Sequence, residues 1–564
     1  MKKTVLSIIA LFGISTIGNA QTFEWANQTE GTDLALVEAI SSNGSNIYTT
    51  GYFKGAIDLD PGAAVNNSTS KGSHDVFIKK MDQNGNLLWA KTLGGNGSDL
   101  GREINDYGAR IIISGTFSDT VDFDPGTGVE ERISKGDRDV FILALDQNGD
   151  FLWVKTIGGL FNENIGGQEL DSSDDLVISG GFSDSIVVDV NGSLETFYSV
   201  NNSDIFVLKM DLVTAEIKWF KAMGGTGDNA GIDLVIKANK NILLTNRFKN
   251  NLDANPDTGA SAVFNLSSQA GHNTCLIELT ELGDFVNAFA FENTSDMEPY
   301  DIEIDSDENI YITGYFKSTT DFDFKSGVTN ISTNGDQDCF VVKMNSSKDL
   351  IWAKTFGGSD VDQSLGLEIG ANGAVYTIGR FKSTVDFDPG AGEENRTASS
   401  SSFDIFVHKL NAAGDFELVF TYGDTENDAV KGLELDIMGN LYVSGGFKGE
   451  IDFDPFASTS TLTAPSPTMS GFLLTFYDAS TAGIEKQSAI SSFLIYPNPV
   501  QNQLFIESSD NQITELVIFD VTGKVVKSIA HNTNSIDVSD LNQGVYILKV
   551  ATDKGVSTQR FVKQ

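Results

Sequence analysis

The chain has 564 residues, a net charge of −40 and only two cysteines. This excess of acid repels nucleic acids and anionic lipids, so we do not expect the protein to bind DNA or RNA. Two cysteines are too few for a disulfide scaffold. With 56 Gly and 38 Phe but only 10 Pro, the composition favours an all-β fold.

The N-terminus has the pattern of a secretory signal peptide. Residues 1–20 contain two lysines, an apolar stretch, and the small residues Gly18 and Ala20 at the positions that precede cleavage. A membrane anchor is the alternative, but it needs about 20 apolar residues, and Gly13, Ser15 and Thr16 interrupt this run. We therefore expect export, and a mature chain without a transmembrane segment.

A unit of about 65 residues recurs seven times between residues 21 and 478. Each copy has a small residue followed two positions later by phenylalanine, and these phenylalanines are Phe53, Phe117, Phe182, Phe248, Phe316, Phe381 and Phe447. A period held this closely is typical of a repeat array or a propeller.

The first copy reads as four antiparallel strands, at 34–41, 46–60, 75–82 and 86–93, with glycine-containing hairpin turns. Four such strands describe one propeller blade. The seventh copy ends at 471–478 without a fourth strand, whereas a fourth-strand pattern around Trp25 precedes the first copy. We expect this N-terminal strand to complete blade 7 of a seven-bladed β-propeller over 21–478. An open array would instead need capping repeats.

Aspartates recur in pairs, five and seven residues after the repeated phenylalanine. Two acids at i and i+2 share one face of a strand, and oxygen clusters of this kind bind hard cations such as calcium. The candidate metal ligands are Asp58, Asp60, Asp122, Asp124, Asp321, Asp323, Asp386, Asp388, Asp452 and Asp454. Proline follows most pairs, so the alternative interpretation, which we favour, is that the carboxylates stabilise turns.

Cys275 and Cys339 occupy the same strand position in neighbouring copies, which predicts buried free thiols that do not face each other. The four histidines, His74, His272, His408 and His531, have no zinc-like spacing, and we assign them to the surface. No catalytic residue or cofactor is assigned, apart from calcium as a candidate. The repeated acids belong to no single blade, which argues against an enzyme.

After a hydrophilic linker at 479–492, the period ends. Residues 493–564 contain alternating apolar runs joined by turn residues, at 496–508, 515–529 and 540–564. This pattern predicts a small antiparallel β-sandwich.

Two resemblances add to these expectations. The strings at 75–95 and 439–455 resemble the bacterial β-propeller repeats of secreted and surface proteins. The tail resembles the type A C-terminal sorting domain of the type IX (Por) secretion system, through Tyr496-Pro-Asn-Pro, Asp520-Val-Thr-Gly and Leu541-Asn-Gln-Gly-Val-Tyr. This second resemblance implies that the type IX machinery recognises the tail, and that the tail is removed at the surface of a Gram-negative bacterium.

The sequence therefore predicts a secreted or outer-membrane-surface propeller that acts as a binding or adhesion module. A glycan or a surface protein is the expected ligand. Two alternatives remain open, a polysaccharide-acting hydrolase or lyase and a calcium-stabilised structural surface protein.

Overall fold

The structure, a computed structural model, describes residues 21–257, 263–325, 327–456, 458–465, 467–481, 493–508, 513–520, 525–530, 535–539, 541–552 and 555–564. The predicted signal peptide lies outside the described residues. All regular elements in these ranges are β-strands, which confirms the all-β class. Accordingly, none of the described residues forms a helix long and apolar enough to span a membrane. The chain divides after Thr481 into two compact units.

The first unit contains the strands β1 to β39. Those of the first four copies and the N-terminal segment are β1 (Gln21–Gly31), β2 (Leu34–Ser42), β3 (Asn46–Lys54), β4 (Ala56–Asp58), β5 (Asn67–Thr69), β6 (Asp75–Asp82), β7 (Leu87–Leu93), β8 (Leu100–Asp106), β9 (Ile111–Phe117), β10 (Thr120–Asp122), β11 (Glu131–Ile133), β12 (Asp139–Leu145), β13 (Phe151–Gly159), β14 (Glu163–Leu170), β15 (Asp175–Val190), β16 (Ser193–Asp211), β17 (Ile217–Gly225), β18 (Ala230–Ile236), β19 (Ile242–Asp253), β20 (Asn265–Leu279) and β21 (Phe285–Ala290).

The remaining strands of this unit follow in the same order. They are β22 (Glu292–Asn293), β23 (Met297–Ile304), β24 (Ile310–Phe316), β25 (Thr319–Asp321), β26 (Asn330–Ser332), β27 (Asp338–Met344), β28 (Leu350–Gly358), β29 (Gln363–Ile369), β30 (Val375–Phe381), β31 (Thr384–Asp386), β32 (Asn395–Thr397), β33 (Asp404–Leu410), β34 (Phe416–Tyr422), β35 (Ala429–Leu435), β36 (Asn440–Phe447), β37 (Glu450–Asp452), β38 (Thr461–Thr463) and β39 (Ser470–Asp478).

Repeats one to six each contribute four long antiparallel strands in sequential order, and the seventh contributes three, which β1 joins. We number these four-stranded groups sheet 1 (β2-β3-β6-β7), sheet 2 (β8-β9-β12-β13), sheet 3 (β14-β15-β16-β17), sheet 4 (β18-β19-β20-β21), sheet 5 (β23-β24-β27-β28), sheet 6 (β29-β30-β33-β34) and sheet 7 (β35-β36-β39-β1). The four strands predicted for the first copy are confirmed. The single second strand expected at 46–60 is wrong, because β3 ends at Lys54 and residues 56–58 form the separate strand β4.

Sheet 7 is made from both ends of the unit. β1 pairs antiparallel with β39, so that Gln21 lies opposite Asp478 and Thr29 opposite Gly471. The N-terminal strand is therefore the fourth strand of the sheet whose other three strands come last in the unit.

Glycine recurs at this position of the repeat for a steric reason. A Cβ at Gly51 would overlap the Leu36 carbonyl oxygen and lie 2.9 Å from the Phe77 ring. Copy four differs at both sites, with Asn246 in place of the glycine and Cys275 opposite it in place of the phenylalanine, rather than Leu276 as the sequence spacing suggests. The glycine thus makes room for the third-strand aromatic ring.

The apolar core lies between successive sheets. One cluster joins Tyr48 and Ile78 of sheet 1 to Ile113 and Phe141 of sheet 2. Another joins Ile47 of sheet 1 to Tyr442 and Leu473 of sheet 7. The first strands also contact one another in order from β2 to β35, and β35 contacts β2.

Fourth-strand tryptophans link one sheet to the next. Trp89 of sheet 1 donates its indole N–H to the Gln147 carbonyl oxygen of sheet 2, at 3.2 Å. Trp25 of sheet 7 donates to the Gln83 carbonyl oxygen of sheet 1, at 3.0 Å. The same contact therefore connects sheets 1 and 2 and sheets 7 and 1.

The second unit contains two antiparallel sheets. Its strands are β40 (Phe493–Tyr496), β41 (Gln503–Ser508), β42 (Ile513–Asp520), β43 (Val525–Ala530), β44 (Ser535–Asp537), β45 (Gly544–Thr552) and β46 (Gly555–Lys563). The strand orders are β40-β41-β44 and β43-β42-β45-β46. Leu504 and Ile506 of the first sheet share one buried cluster with Leu516, Leu548 and Phe561 of the second.

Candidate functional site

The repeated aspartates bond to the backbone of their own hairpins. In the β10–β11 hairpin, Asp122 Oδ1 accepts the N–H groups of Asp124 at 3.2 Å and of Glu130 at 2.8 Å, and Asp124 Oδ1 accepts the Gly126 N–H at 2.7 Å. The first aspartate of the other predicted pairs accepts the same two kinds of bond, at Asp58, Asp321, Asp386 and Asp452. These contacts are those that stabilise turns.

Calcium binding by these pairs stays a prediction. In the part of the chain that the structure describes, no group of three or more His, Cys, Asp or Glu side chains is arranged to hold a metal ion. The pairs lie in separate hairpins, and one oxygen of each first aspartate already accepts two backbone N–H groups.

The predictions for the thiols and the histidines have different outcomes. Cys275 and Cys339 are buried and free, as predicted. Their predicted equivalence is wrong, because Cys275 lies opposite Asn246, the site of the repeated small residue, whereas Cys339 lies opposite Tyr315, one residue after Gly314. The surface assignment of His408 is wrong, because its side chain lies between sheets, where Nε2 donates to the Phe387 carbonyl oxygen at 3.0 Å. Burial lowers the pKa of His408 to about 3. His531 lies outside the described residues.

The first strands carry a set of acids that the sequence analysis did not single out. Every first strand has an irregularity against its second strand. In sheets 2 to 7, an acid after it lies opposite the second-strand residue three or five positions before the repeated phenylalanine. Glu103, Asp233 and Asp301 occupy the first of these positions, and Glu169, Glu303, Glu368 and Glu434 occupy the second. We call these seven residues the first-strand acids.

Several of these carboxylates bind the neighbouring first strand. Asp233 of sheet 4 accepts the Ile302 N–H of sheet 5 at 3.2 Å, and Asp301 of sheet 5 accepts the Leu367 N–H of sheet 6 at 2.7 Å. Glu434 of sheet 7 accepts the Ser42 N–H of sheet 1 at 3.1 Å. The acids therefore satisfy backbone donors that sheet pairing leaves open.

Burial and mutual repulsion disfavour ionisation of the first-strand acids. Burial, followed by the Asp233 charge, raises the pKa of Glu103 and of Glu169 to about 8. For Asp233, burial is the cause that raises the pKa, and it raises it to about 6. The pKa of Glu303 is raised well above its ordinary value by burial and then by Glu368 and other acids. Part of this set is consequently protonated at neutral pH.

A cavity of about 250 Å³ collects side chains from four successive first strands. Its polar lining includes Asn105, Gln168, Glu169, Asp233 and Glu303. Gln168 donates its Nε2–H to Asn105 Oδ1 at 2.7 Å, whereas its buried Oε1 has no hydrogen-bond partner among the described residues. Acids of three different sheets thus face one cavity, which we call the acidic cavity.

Basic residues of the first strands pair with another acid. Arg102 contacts Glu38 at 2.8 Å, and Lys431 contacts the other Glu38 oxygen at 3.6 Å. Glu38 is on β2, before the positions of the first-strand acids. These cations therefore neutralise Glu38 directly rather than the lining of the acidic cavity.

A second cavity, of about 390 Å³, lies where sheet 4 meets the β25–β26 hairpin. Its lining includes Asn265, Phe289, Phe291, Glu292 and Phe324. The repeat is broken here, since Phe289 replaces the lysine found at Lys91, and Phe324 replaces the proline found at Pro125. The rings of Phe289 and Phe324 stack with centroids 5.2 Å apart. We call it the aromatic cavity.

The acidic cavity could have been found from the sequence by one signal. Glu103, Glu169, Asp233, Asp301, Glu368 and Glu434 recur with the spacing of the repeat. They were missed because first strands vary most between copies, and because the strand irregularities shift the alternation of inward and outward positions.

Residues 494–564 match the secretion system C-terminal sorting domain. This domain marks proteins that type IX secretion exports to the cell surface or the extracellular space. The predicted resemblance of the tail and the predicted destination are thereby confirmed.

The comparisons of the whole chain find more distant similarities. The regulatory protein FlaEY of Caulobacter vibrioides is 24% identical over 233 residues, which cover 40% of this chain and 23% of FlaEY. An uncharacterised WD repeat-containing protein of Acanthamoeba polyphaga mimivirus is 27% identical over 116 residues, 18% of this chain and 8% of that protein. The chain thus spans less than a quarter of either curated relative.

Similar solved structures are β-propeller-like proteins. The Pan2 WD40 domain of Neurospora crassa has a TM-score of 0.39 and 7% identity, over 82% of this chain and 97% of that domain. A PL25 ulvan lyase has a TM-score of 0.35 and 9% identity, over 80% and 97% of the two chains. PorZ, a surface component of the type IX secretion system of Porphyromonas gingivalis, has a TM-score of 0.18 and 10% identity, over 97% and 100%.

Proposed function

We propose that the mature protein is a closed seven-bladed β-propeller that binds a ligand outside the cell. Closure is supported by the contact of β35 with β2, by the apolar cluster between sheets 7 and 1, and by the Trp25 hydrogen bond. Residues 1–20 direct export to the periplasm, 21–478 form the propeller, 479–492 are the cleaved linker, and 493–564 form the sorting sandwich.

One observation carries the binding role. The acidic cavity brings together Glu169, Asp233 and Glu303, which belong to three unlike copies of the repeat. These acids converge with Asn105 and Gln168 on one concave cavity, and a cavity with several convergent polar groups and raised carboxyl pKa values is the usual form of a ligand site. The acidic cavity is therefore the ligand site of the propeller.

The aromatic cavity favours a glycan as a further ligand. Aromatic rings beside amide and carboxylate groups offer an apolar surface together with hydrogen-bond partners, which is the composition of small-ligand sites. Phe289 and Phe324 supply the rings, and Asn265 and Glu292 supply the polar groups.

Glycan and peptide arrays test the proposal. The protein is compared with two variants, Glu169→Gln in the acidic cavity and Phe289→Ala in the aromatic cavity, and with the exposed control variant Glu216→Gln. We expect at least one class of immobilised ligand to be retained by the control and lost by one cavity variant. Equal retention of every bound ligand by both cavity variants would remove both cavities as binding sites.

The acidic cavity also supports a second candidate function, hydrolysis of a polysaccharide. Glycoside cleavage requires one protonated and one ionised carboxyl group, and the pKa values of about 8 for Glu169 and about 6 for Asp233 provide such a difference. Release of reducing ends from a polysaccharide panel, abolished in Asp233→Asn, would establish this function in place of binding alone.

A further inference from the structure

The acidic cavity contains hydrogen-bond acceptors that lack donors. Gln168 is 9% exposed, and its Oε1 has no partner among the described residues, although Nε2 is bonded to Asn105. A buried acceptor without a donor costs free energy that a donor from a ligand or from water recovers. The carboxyl group of Glu169 lines the same cavity, where the charge of Asp233 acts on it.

The lining also lacks positive charge. The nearby basic residues pair elsewhere, with Arg102 on Glu38 and Arg247 on Glu298 at 3.4 Å. Within the described residues, no cation touches Glu169, Asp233 or Glu303 as an ion pair. Asp233 already accepts the N–H groups of Leu234 at 2.8 Å and Ile302 at 3.2 Å, so Glu169 and Glu303 are the acids of this cavity that a cation from outside would neutralise.

Resting on the binding role proposed above, we infer that the acidic cavity binds a small organic molecule through a primary ammonium group. An ammonium group has three donors and no acceptor, so it can donate at once to carboxylates and to Gln168 Oε1. The volume of about 250 Å³ limits the ligand to a small molecule.

A bare metal ion fits the described lining less well than an ammonium group. Divalent cations need several oxygen ligands at short and defined distances, and the described residues include no group of three acids so arranged. An ammonium group tolerates longer and less regular contacts.

Isothermal titration calorimetry of the purified full chain with putrescine tests this inference. The diol of the same carbon chain is the uncharged probe, and calcium chloride is the metal probe. The protein is compared with Glu169→Gln and with Glu216→Gln, which makes the same substitution at an exposed position outside the cavity.

We expect putrescine to bind, the diol not to bind, and Glu169→Gln but not Glu216→Gln to weaken putrescine at least about tenfold. Because burial raises the pKa of Glu169 to about 8, binding at pH 7 should also release protons, which repetition in buffers of different ionisation enthalpy measures.

Four results would overturn the inference. If the diol binds as tightly as putrescine, the cavity binds a ligand without requiring an ammonium group. The proposed binding role would then still hold. Calcium binding that depends on Glu169 would make the cavity a metal site. Putrescine binding unchanged in Glu169→Gln would place the amine elsewhere, and no putrescine binding would refute the ammonium ligand. In either of these last two cases, the glycan and peptide arrays decide the binding role independently.

Discussion

At the scale of single residues, Lys79 lies where five of the other six copies of the repeat have an aliphatic side chain. The equivalent third-strand residues are Leu143, Leu208, Ile277, Val342, His408 and Leu474. Lys79 is 2% exposed, its Nζ donates to Thr29 Oγ1 at 2.6 Å, and burial lowers its pKa to about 8. A lysine in this environment is destabilising while it is charged.

We expect the double variant Thr29→Val/Lys79→Leu to be more stable than the protein at pH 7, by about 1–3 kcal/mol, because it removes both buried polar groups together. A lowered lysine pKa makes folding more favourable as pH rises from about 8 towards 10.5. The advantage of the variant should therefore shrink at pH 9.5, as measured by denaturant unfolding. A variant less stable at pH 7 would show that the Lys79 hydrogen bond outweighs its burial.

The repeated glycine gives a second prediction at this scale. Gly115→Ala should destabilise the protein by about 1–3 kcal/mol, because the new methyl group would overlap the Leu100 carbonyl oxygen and lie 2.9 Å from the Phe141 ring. Gly62→Ala is the control, since its nearest neighbour is the Asp60 carboxylate oxygen at 3.0 Å. Equal melting temperatures for the two variants would contradict the steric role.

At the scale of the element, substitutions in the hairpins that contain the paired aspartates distinguish turn stabilisation from calcium binding. Asp122→Ala should destabilise by about 1 kcal/mol because it removes two hydrogen bonds to backbone N–H groups. Asp122→Asn retains an oxygen acceptor and should melt close to the unmodified protein, with or without chelator. If calcium instead stabilises the hairpins, Asp122→Asn and Asp122→Ala would both lower the melting temperature. Chelation would then remove the difference between each variant and the unmodified protein.

The strands were more predictable than the site. The strand pattern follows from alternation and turn residues, so the elements of sheet 1 agree with the sequence except at Lys54, where the chain bends into β4. The acidic cavity could not be assembled in this way. Glu169 and Glu303 meet only because separate first strands approach each other, and no local pattern encodes that approach.

At the scale of the whole molecule, the first-strand acids set how stability depends on pH. A carboxyl group whose pKa is raised in the folded protein binds more protons than in the unfolded chain, so stability falls as pH rises. Glu103 and Glu169 have pKa values of about 8, and Glu434 of about 7. Asp478 acts in the opposite direction, but its pKa of about 2 restricts that loss to strongly acidic pH.

We therefore expect a higher melting temperature at pH 5.5 than at pH 8.5, by several degrees. The double variant Glu103→Gln/Glu169→Gln should melt higher than the unmodified protein at pH 8.5 and should show a smaller pH dependence. Differential scanning calorimetry at the two pH values measures both effects. A melting temperature that rises with pH would mean that these acids are ionised and stabilising in the folded protein.

The closure that we propose for the propeller gives the last prediction, because β1 is the strand that joins the two ends of the unit. β1 covers the edge of β39, and its Gln21 donates to Asp478 at 2.7 Å. Asp478 also accepts from Lys409 at 2.8 Å, and both side chains are buried.

Deletion of residues 21–31 would expose the β39 edge, and exposed strand edges pair with other chains. We expect the deletion variant to lose the monomer peak in size-exclusion chromatography with light scattering. Asp478→Ala should instead keep β1 and remain monomeric, yet lose about 1.5–3 kcal/mol, because Lys409 loses one of its two carboxylate partners and keeps Glu417 at 2.8 Å. A deletion variant that stays monomeric with an unchanged melting temperature would show that β1 is not needed to close the ring.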